Sequence, residues 1–484
     1  MTTNDYSKRM VLFKKYLERT KMEHKDYQYD GVQWMIHNEL RFRPPCGIRG
    51  GFIADEMGLG KTIMMIGTLI CNFQKHSLIV LPPILIDQWF LQIYKTTGHK
   101  ALIYHGEDKK KISMEQLMSA HIVITTYGAI TLTKKQIIDE VTTVLHKIKW
   151  SRVIFDEAHH LRNSKTTRFI SAKMLMSDIR WLVSGTPIQN SKKDFYSLCS
   201  MIRLPASYYT ESTNLRELAS SFILKRSKKQ VGIMMGDVIS DKNIVLWTNQ
   251  KEMQLSEEIH SALPFSRVSN EKGREIIKGL KNAGALSLLL HARQTCILPK
   301  LMTNKLAKLH HLGAISDYAT YKDVFNCSSK LDSVVASILE RKDNGCGKLV
   351  FCHFREEIDE VATRLRKGGI TKVATFDGRT SNSKRFEILN DKNEVLILQI
   401  QTGCEGLNLQ ENYSEIYFIS PHWNPAIEDQ AIARCHRIGQ TKSVIVKRFE
   451  MSNFFDPDIL TRTVDNYVEA VQENKRTIAN EIYK

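Results

Sequence analysis

The sequence predicts an α/β protein with two lobes, each a parallel β-sheet covered by helices, a helical insertion and linker between them, and a C-terminal helical brace. Three observations carry this. Short apolar runs alternate with helical periodicity in two separate regions, the pattern of a parallel sheet with crossover helices. The 484 residues are too many for one ordinary core and suggest roughly three domain-sized pieces. The composition, 42% hydrophobic and 25% charged, is that of a chain that buries real cores.

In chain order, residues 1–24 read as an N-terminal extension. Residues 1–16 carry Lys and Arg but no following apolar block with a cleavage site, so they do not read as a secretory signal. The first lobe is expected over 25–205, with strands at 51–54, 78–81, 122–125, 153–155 and 181–184, most ending at a polar or glycine-bearing turn. Over 206–325 strand signals thin out, Leu286, Leu289, Leu290 and Arg293 fall at helical spacing, and basic residues cluster at 225–229. The second lobe is expected over 326–450, with strands at 348–351, 372–375, 395–400, 415–419 and 444–449. Residues 451–484 read as polar helix, with Leu460, Val464, Tyr467, Val468 and Val471 as the stripe that braces a lobe.

The apolar runs at 63–71 and 77–86 reach about half the roughly 20 residues a membrane span needs, which predicts a protein that stays inside a cell. Nine cysteines occur without a single CxxC pair, against zinc modules and disulfide scaffolds. The formal net charge of +17 favours a polyanionic partner, although charge alone also suits an ordinary basic protein.

Residues 52–62, FIADEMGLGKT, place a glycine loop between an apolar run and a helix-compatible run, the context of a phosphate-binding P-loop. Asp55, Glu56, Met57, Gly58, Leu59 and Gly60 would form the cradle. Gly58 and Gly60 let backbone N–H groups approach phosphates, Lys61 reaches the β and γ oxygens, and the Thr62 hydroxyl binds magnesium. The strand-like RVIF runs into Asp156 and Glu157, so Asp156 would hold the metal and Glu157 would polarise the attacking water. The adjacent His159 and His160 are poorly spaced to converge on one ion. Ser184, Gly185 and Thr186 begin SGTPIQN and would sit beside the acidic pair, where small hydroxyls can sense phosphate. Gln430, Arg434 and Arg437 lie in DQAIARCHRIGQ; the arginines, at i and i+3, share a helix face that suits either arginine fingers or a solvated basic surface.

The series YQYDGVQWM, ADEMGLGKT, LPPILIDQW, ITTYGAI, DEAH, SGTPIQN, FDGRT, GCEGLNL and HWNPAIEDQAIARCHRIGQ resembles the Swi/Snf family of superfamily two DNA translocases, over residues 27–449. The resemblance implies two RecA-like lobes, ATP and Mg2+ as cofactors, and an ATP hydrolase that tracks along double-stranded DNA without strand separation. It implies that Gln28 reads adenine, that Lys61 and Thr62 bind phosphate and metal, that Asp156 and Glu157 drive hydrolysis, and that Arg434 and Arg437 act as fingers. DNA contacts would come from Pro82, Gln88, Trp89, Thr125, Thr126, Tyr127, Arg379, Thr380, Asn408 and Trp423, with Ser184, Gly185, Thr186 and Gln430 coupling the sites.

The wording GLNLQ and HWNPAIEDQA is similar to the post-replication repair branch, but the paired Cys and His ligands of its inserted RING module are absent. The resemblance therefore implies a nearly bare motor, of a kind found in large DNA viruses as well as in cells, acting in a nucleus or a viral factory. Its partners would be duplex DNA and nucleosomes, polymerase or other DNA-bound proteins. Two departures stand out: Thr402, Gly403, Cys404 and Glu405 replace the usual alanine and paired glycines, and Ala433 replaces an Asp before the first finger. The alternatives are a strand-separating or RNA-directed helicase and a scaffold with a decayed ATPase. The basic clusters at 109–111 and 225–229 read as import signals or as solvated or phosphate-contacting faces.

Overall fold

The computed structural model describes residues 3–185, 192–261, 263, 285–313, 315, 318–403, 407–454 and 462–482. The chain divides into two compact units, one of residues 1–234 with 477–484 and one of residues 235–476.

The first unit is built on a seven-stranded parallel sheet. Its strands are β1 (Arg49–Ile53), β2 (Ser77–Leu81), β3 (Leu102–Tyr104), β4 (Ile122–Thr126), β5 (Lys149–Asp156), β6 (Met176–Val183) and β7 (Ile223–Leu224), in spatial order β3-β4-β2-β5-β6-β1-β7. β2 and β4 are buried at every residue, as expected where helices cover both faces of a parallel sheet. Successive side chains enter opposite cores: Leu78, Val80, Val153 and Phe155 pack on one face, Ile79, Leu81, Ile154 and Trp181 on the other. The helix Thr3–Arg19 joins the second of these cores through Met10, Phe13, Tyr16 and Leu17. It lies so close to the helix Lys61–Cys71 that a Cβ on Gly67 would meet the Phe13 ring at 2.6 Å.

The second unit carries a six-stranded parallel sheet of β8 (Val238–Val245), β9 (Gly347–Cys352), β10 (Val373–Phe376), β11 (Val395–Gln399), β12 (Tyr413–Phe418) and β13 (Val444–Met451), in order β10-β11-β9-β12-β13-β8. Its core takes Val350, Ile397 and Tyr417 from the sheet and Ala292, Leu331 and Ile358 from helices. All ten strands expected from the sequence are present within a few residues. β3, β7 and β8 are additional, and β7 and β8 fall in the span where helix was expected. β7 is two residues long, and β8, VISDKNIV, pairs only with β13 and is exposed along most of its length, so neither shows a buried-strand pattern.

The C-terminal helix Val464–Ile482 braces the second unit as expected, with Val464 and Val468 fully buried. Leu460 lies outside the described residues. The Asp465 carboxylate meets buried Lys330 and accepts from the Met451 N–H at 3.0 Å. His260 fixes the helix start: its Nδ1 donates to the Ser256 carbonyl at 2.7 Å and its Nε2 accepts from the Val464 N–H at 3.0 Å. Burial pushes His260 down to about 4. A histidine whose folded pKa is depressed contributes stability that is complete above its unfolded pKa and lost as pH falls towards the folded value. The stability advantage of wild type over His260→Gln is therefore expected to shrink by about 1.4 kcal/mol per pH unit between roughly pH 6.5 and 4. Urea unfolding of both proteins across that range checks this. Among the described residues, no helix is long and apolar enough to cross a membrane.

Candidate nucleotide site and nucleic-acid interface

The carboxyl ends of three neighbouring strands, β5, β6 and β1, carry the candidate site motifs. In register, Asp156 pairs with Val183 and Val183 with Ile53, so the acidic pair and the P-loop emerge two strands apart, roughly 10 Å. Ser184 and Gly185 emerge between them.

The loop after β1 turns through Gly58 at φ 90° and Gly60 at φ 82°, conformations that favour glycine, and delivers Lys61 as the first residue of a helix. A Cβ on Gly60 would stand 2.4 Å from the Gln28 amide nitrogen. Gln28 is buried and donates to the Leu59 carbonyl at 3.1 Å, so it lies against the cradle where adenine recognition was expected. Lys61 Nζ donates to the carbonyls of Asp55 at 2.8 Å and Glu56 at 3.4 Å. Gly185 reaches the same place, since a Cβ there would come within 2.9 Å of Met57 Cγ and 3.2 Å of Lys61 Nζ. Thr62 is half-buried in the first helical turn.

Asp156 is buried and accepts from Trp89 Nε1 at 2.7 Å and from the Glu157 N–H at 3.0 Å, while the Tyr127 hydroxyl donates to its carbonyl at 2.7 Å. Burial, and next the neighbouring Glu157, push the Asp156 carboxyl up to about 7. Glu157 takes a left-handed conformation, φ 49°, and its carboxylate stands 3.3 Å from His159 Nδ1, which in turn is 3.4 Å from the Ser184 hydroxyl. His159 thus joins the acidic pair to the segment after β6.

The side chains of Asp55 and Glu56 are ion-paired, Asp55 to Arg226 and Glu56 to Lys228. The side chains of Trp89, Thr125, Thr126 and Tyr127 are buried, each engaged within the unit. Trp89 and Tyr127 bond to Asp156; the Thr125 hydroxyl donates to the Tyr104 carbonyl at 2.8 Å; the Thr126 hydroxyl caps the helix Tyr127–Ile130. Pro82 is buried too, whereas Gln88 is exposed. Trp89→Phe is accordingly expected to lower kcat for ATP hydrolysis by about tenfold or more through the lost bond to a carboxylate, at unchanged DNA affinity. Lost affinity with intact turnover would return Trp89 to the DNA face.

In the second unit, Arg434 is buried and donates to the Leu407 carbonyl at 3.4 Å; half-buried Arg437 bonds the Asn408 side-chain oxygen. Both follow the helix Pro425–Ile432, which ends before Ala433 and carries buried Gln430. Arg379 is ion-paired twice, to Asp377 at 2.6 Å and Asp359 at 2.8 Å, and Thr380 Oγ1 accepts from the Asp377 N–H at 3.1 Å. Trp423 is half-buried, with the Arg293 guanidinium 5.1 Å from its ring centre. Thr186, Cys404 and Glu405 lie outside the described residues.

Comparison with known proteins decides the family. The SNF2-related domain matches residues 27–301, more than half of the chain, and the helicase conserved C-terminal domain matches residues 329–439. The chain belongs to the SNF2-related family. It is similar to a probable global transactivator of Orgyia pseudotsugata multicapsid polyhedrosis virus, 27% identical over 95% of this chain and 91% of that protein. It is similar to an uncharacterized ATP-dependent helicase of Mycoplasma pneumoniae, 27% identical over 95% of this chain, and to the DNA repair protein RAD5B of Arabidopsis thaliana, 24% identical over 88%. Of those two relatives it spans only 42% and 45% of the length. As a member of this family the chain is an ATP-dependent, helicase-like enzyme.

The residues present fit ATP and Mg2+. The glycine cradle leaves room where a Cβ would collide, Lys61 stands at its mouth, and Thr62 and Asp156 offer the hard oxygen donors magnesium takes. A buried carboxylate crowded by a second acid gains by exchanging its proton for a divalent cation.

Proposed function

We propose that this protein hydrolyses ATP in response to double-stranded DNA and uses the cycle to translocate along the duplex, displacing proteins bound there. The observation that carries the reading is the gathering of Lys61, Asp156, Glu157 and Gly185 at the ends of adjacent strands, on the folded P-loop of an SNF2-related chain.

Thr62 and Asp156 would hold magnesium, which would supply neutralisation of phosphate charge. The chain's own residues do the rest. Lys61 and the N–H groups of the P-loop hold the phosphates, and the helix beginning at Lys61 adds its positive end. Glu157 orients and polarises the attacking water, with His159 steadying its carboxylate. Asp156 is held by Trp89 as a metal-binding carboxylate. Arg434 and Arg437 supply the charge that stabilises the leaving phosphate, a role worth about 10³ to 10⁵ in rate. Ser184, Gly185, Thr186 and Gln430 relay the nucleotide state. DNA is bound by Gln88 and Asn408, by the Arg379–Thr380 turn and by Trp423, helped by the net charge of +17. Nucleosomes, polymerases and other DNA-bound proteins are the candidate obstacles, and a nucleus or viral factory the setting. RAD5B and the viral transactivator, named for DNA repair and transactivation, are consistent with work on duplex DNA.

Displacement of a triplex-forming strand from duplex DNA tests translocation. ATP-dependent release by wild type and none by Glu157→Gln is expected. Efficient unwinding of the duplex itself would favour the strand-separating reading.

A further inference from the structure

We infer that Arg226 is a positioning residue of the nucleotide site, joining the P-loop, the segment beside it that carries Gln28, and the chain that leads into the second unit. This rests on the ATPase reading and goes beyond it, since residues 225–229 first read as an import signal or a phosphate-contacting face.

The chain after β7 runs alongside the P-loop. The Ala54 N–H donates to the Leu224 carbonyl at 2.8 Å and the Glu56 N–H to the Arg226 carbonyl at 2.9 Å. In return the Arg226 N–H donates to Asp55 Oδ1 at 2.9 Å and the Lys228 N–H to Glu56 Oε2 at 2.8 Å. Side chains complete the join. The Arg226 guanidinium grips the fully buried Asp55 carboxylate with two N–H groups, Nε to Oδ1 at 3.2 Å and Nη2 to Oδ2 at 2.5 Å. Such a fork on a carboxylate is strong and directional. A third N–H, on Nη1, donates to the Tyr27 carbonyl, and the guanidinium carbon lies 5.6 Å from the Tyr27 ring centre.

The consequences for the site follow residue by residue. Asp55 accepts from Arg226 with its carboxylate and from Lys61 with its carbonyl, so the guanidinium and the phosphate-binding ammonium are fixed on one residue. Tyr27 accepts from Arg226, and the next residue, Gln28, donates to the Leu59 carbonyl of the P-loop. Arg226 therefore sets both the Lys61 end and the Gln28 end of the cradle without entering it. Removing the guanidinium leaves the buried Asp55 carboxylate with the backbone N–H of residue 226 but no cationic partner, a cost the loop relieves only by rearranging. The Lys228 ammonium, 3.3 Å from Glu56, adds a partly exposed second tie. The same chain then continues through residue 234 into 235, the first residue of the second unit.

The test compares wild type, Arg226→Ala, Arg226→Lys, Asp55→Asn and the Asp55→Asn/Arg226→Ala double variant in ATP KM, kcat, affinity for a fluorescent ATP analogue, melting temperature and the salt dependence of duplex-DNA affinity. Arg226→Ala is expected to raise ATP KM and the analogue Kd by about 10- to 100-fold, with a smaller change in kcat. Arg226→Lys recovers part of that, the double variant is no worse than Arg226→Ala, and the DNA salt slope is unchanged. A purely structural role would instead lower melting with no split between KM and kcat, and a DNA contact would flatten the salt slope; either overturns the inference, as does an unchanged KM and analogue affinity. A wild type that binds the analogue without turnover defeats the ATPase reading alone, and the analogue Kd then decides the role of Arg226. Failure of wild type to bind nucleotide defeats both.

Discussion

Lys61→Ala is expected to abolish ATP hydrolysis, and Glu157→Gln to lower it by about 10³-fold, roughly 4 kcal/mol of barrier, while both proteins keep their affinity for duplex DNA. Lys61 is the first residue of the P-loop helix, anchored on the Asp55 carbonyl at 2.8 Å and approached by Gly185 from the next strand. Alanine removes the only side chain among the P-loop residues 54–62 that carries a positive charge to phosphate. Glu157 is held by its left-handed backbone and by His159 at 3.3 Å. Glutamine keeps that shape and loses the basicity that polarises water. Phosphate release and fluorescence anisotropy of labelled DNA check the two halves of this expectation. Equal loss of turnover and DNA binding would mean that the substitutions had unfolded the unit.

The largest effect on stability is expected at a fully buried ion pair. Arg152 donates through Nε to Glu39 Oε1 at 2.6 Å and through Nη2 to the other carboxylate oxygen. Trp181 Nε1 and Asn72 Nδ2 bond the same carboxylate, each at 2.7 Å, and Arg152 also reaches the Asn72 carbonyl at 2.9 Å. These residues sit on the elements that build the nucleotide site: the helix Asp26–Leu40 that begins beside Gln28, the end of the P-loop helix, β5 ahead of Asp156, and β6 ahead of Ser184. Arg152→Ala leaves a carboxylate buried without its partner and is expected to cost about 3–5 kcal/mol. The Arg152→Met/Glu39→Leu double variant, which removes both charges, is expected to be destabilised by less than Arg152→Ala. Urea unfolding measures all three proteins. A cost below about 1 kcal/mol for Arg152→Ala would show that the pair behaves as a surface bridge.

Much of the fold was legible because parallel strands buried on both faces leave continuous apolar runs, as in β2 and β4, which end at a Pro-Pro step and a glycine-bearing turn respectively. β8 was not, since its Ser-Asp-Lys-Asn centre faces solvent and only main-chain pairing with β13 makes it a strand. The candidate nucleotide-site residues were legible for a related reason: Gly58, Gly60 and Lys61 lie in the loop and helix start after β1, and Asp156 and Glu157 at the end of β5, so each motif is local in sequence. The supporting contacts join residues far apart in the chain. Nothing in Trp89 or Arg226 alone announces a bond to Asp156 or Asp55, although the paired acids at 55–56 and the bases at 226 and 228 have matching charges in different motifs. The burial of Trp89, Thr125, Thr126 and Tyr127 was less legible, because these residue types sit as readily at a polar surface as in a core.

Duplex DNA is expected to drive ATP hydrolysis at this site. The direct measurement is steady-state ATP turnover by the purified protein alone, with double-stranded DNA, with single-stranded DNA and with RNA, using Glu157→Gln as the blank. Strong stimulation by duplex DNA above every other nucleic acid is the predicted result. Stimulation chiefly by single strands or RNA, or turnover no higher than the blank, would contradict it.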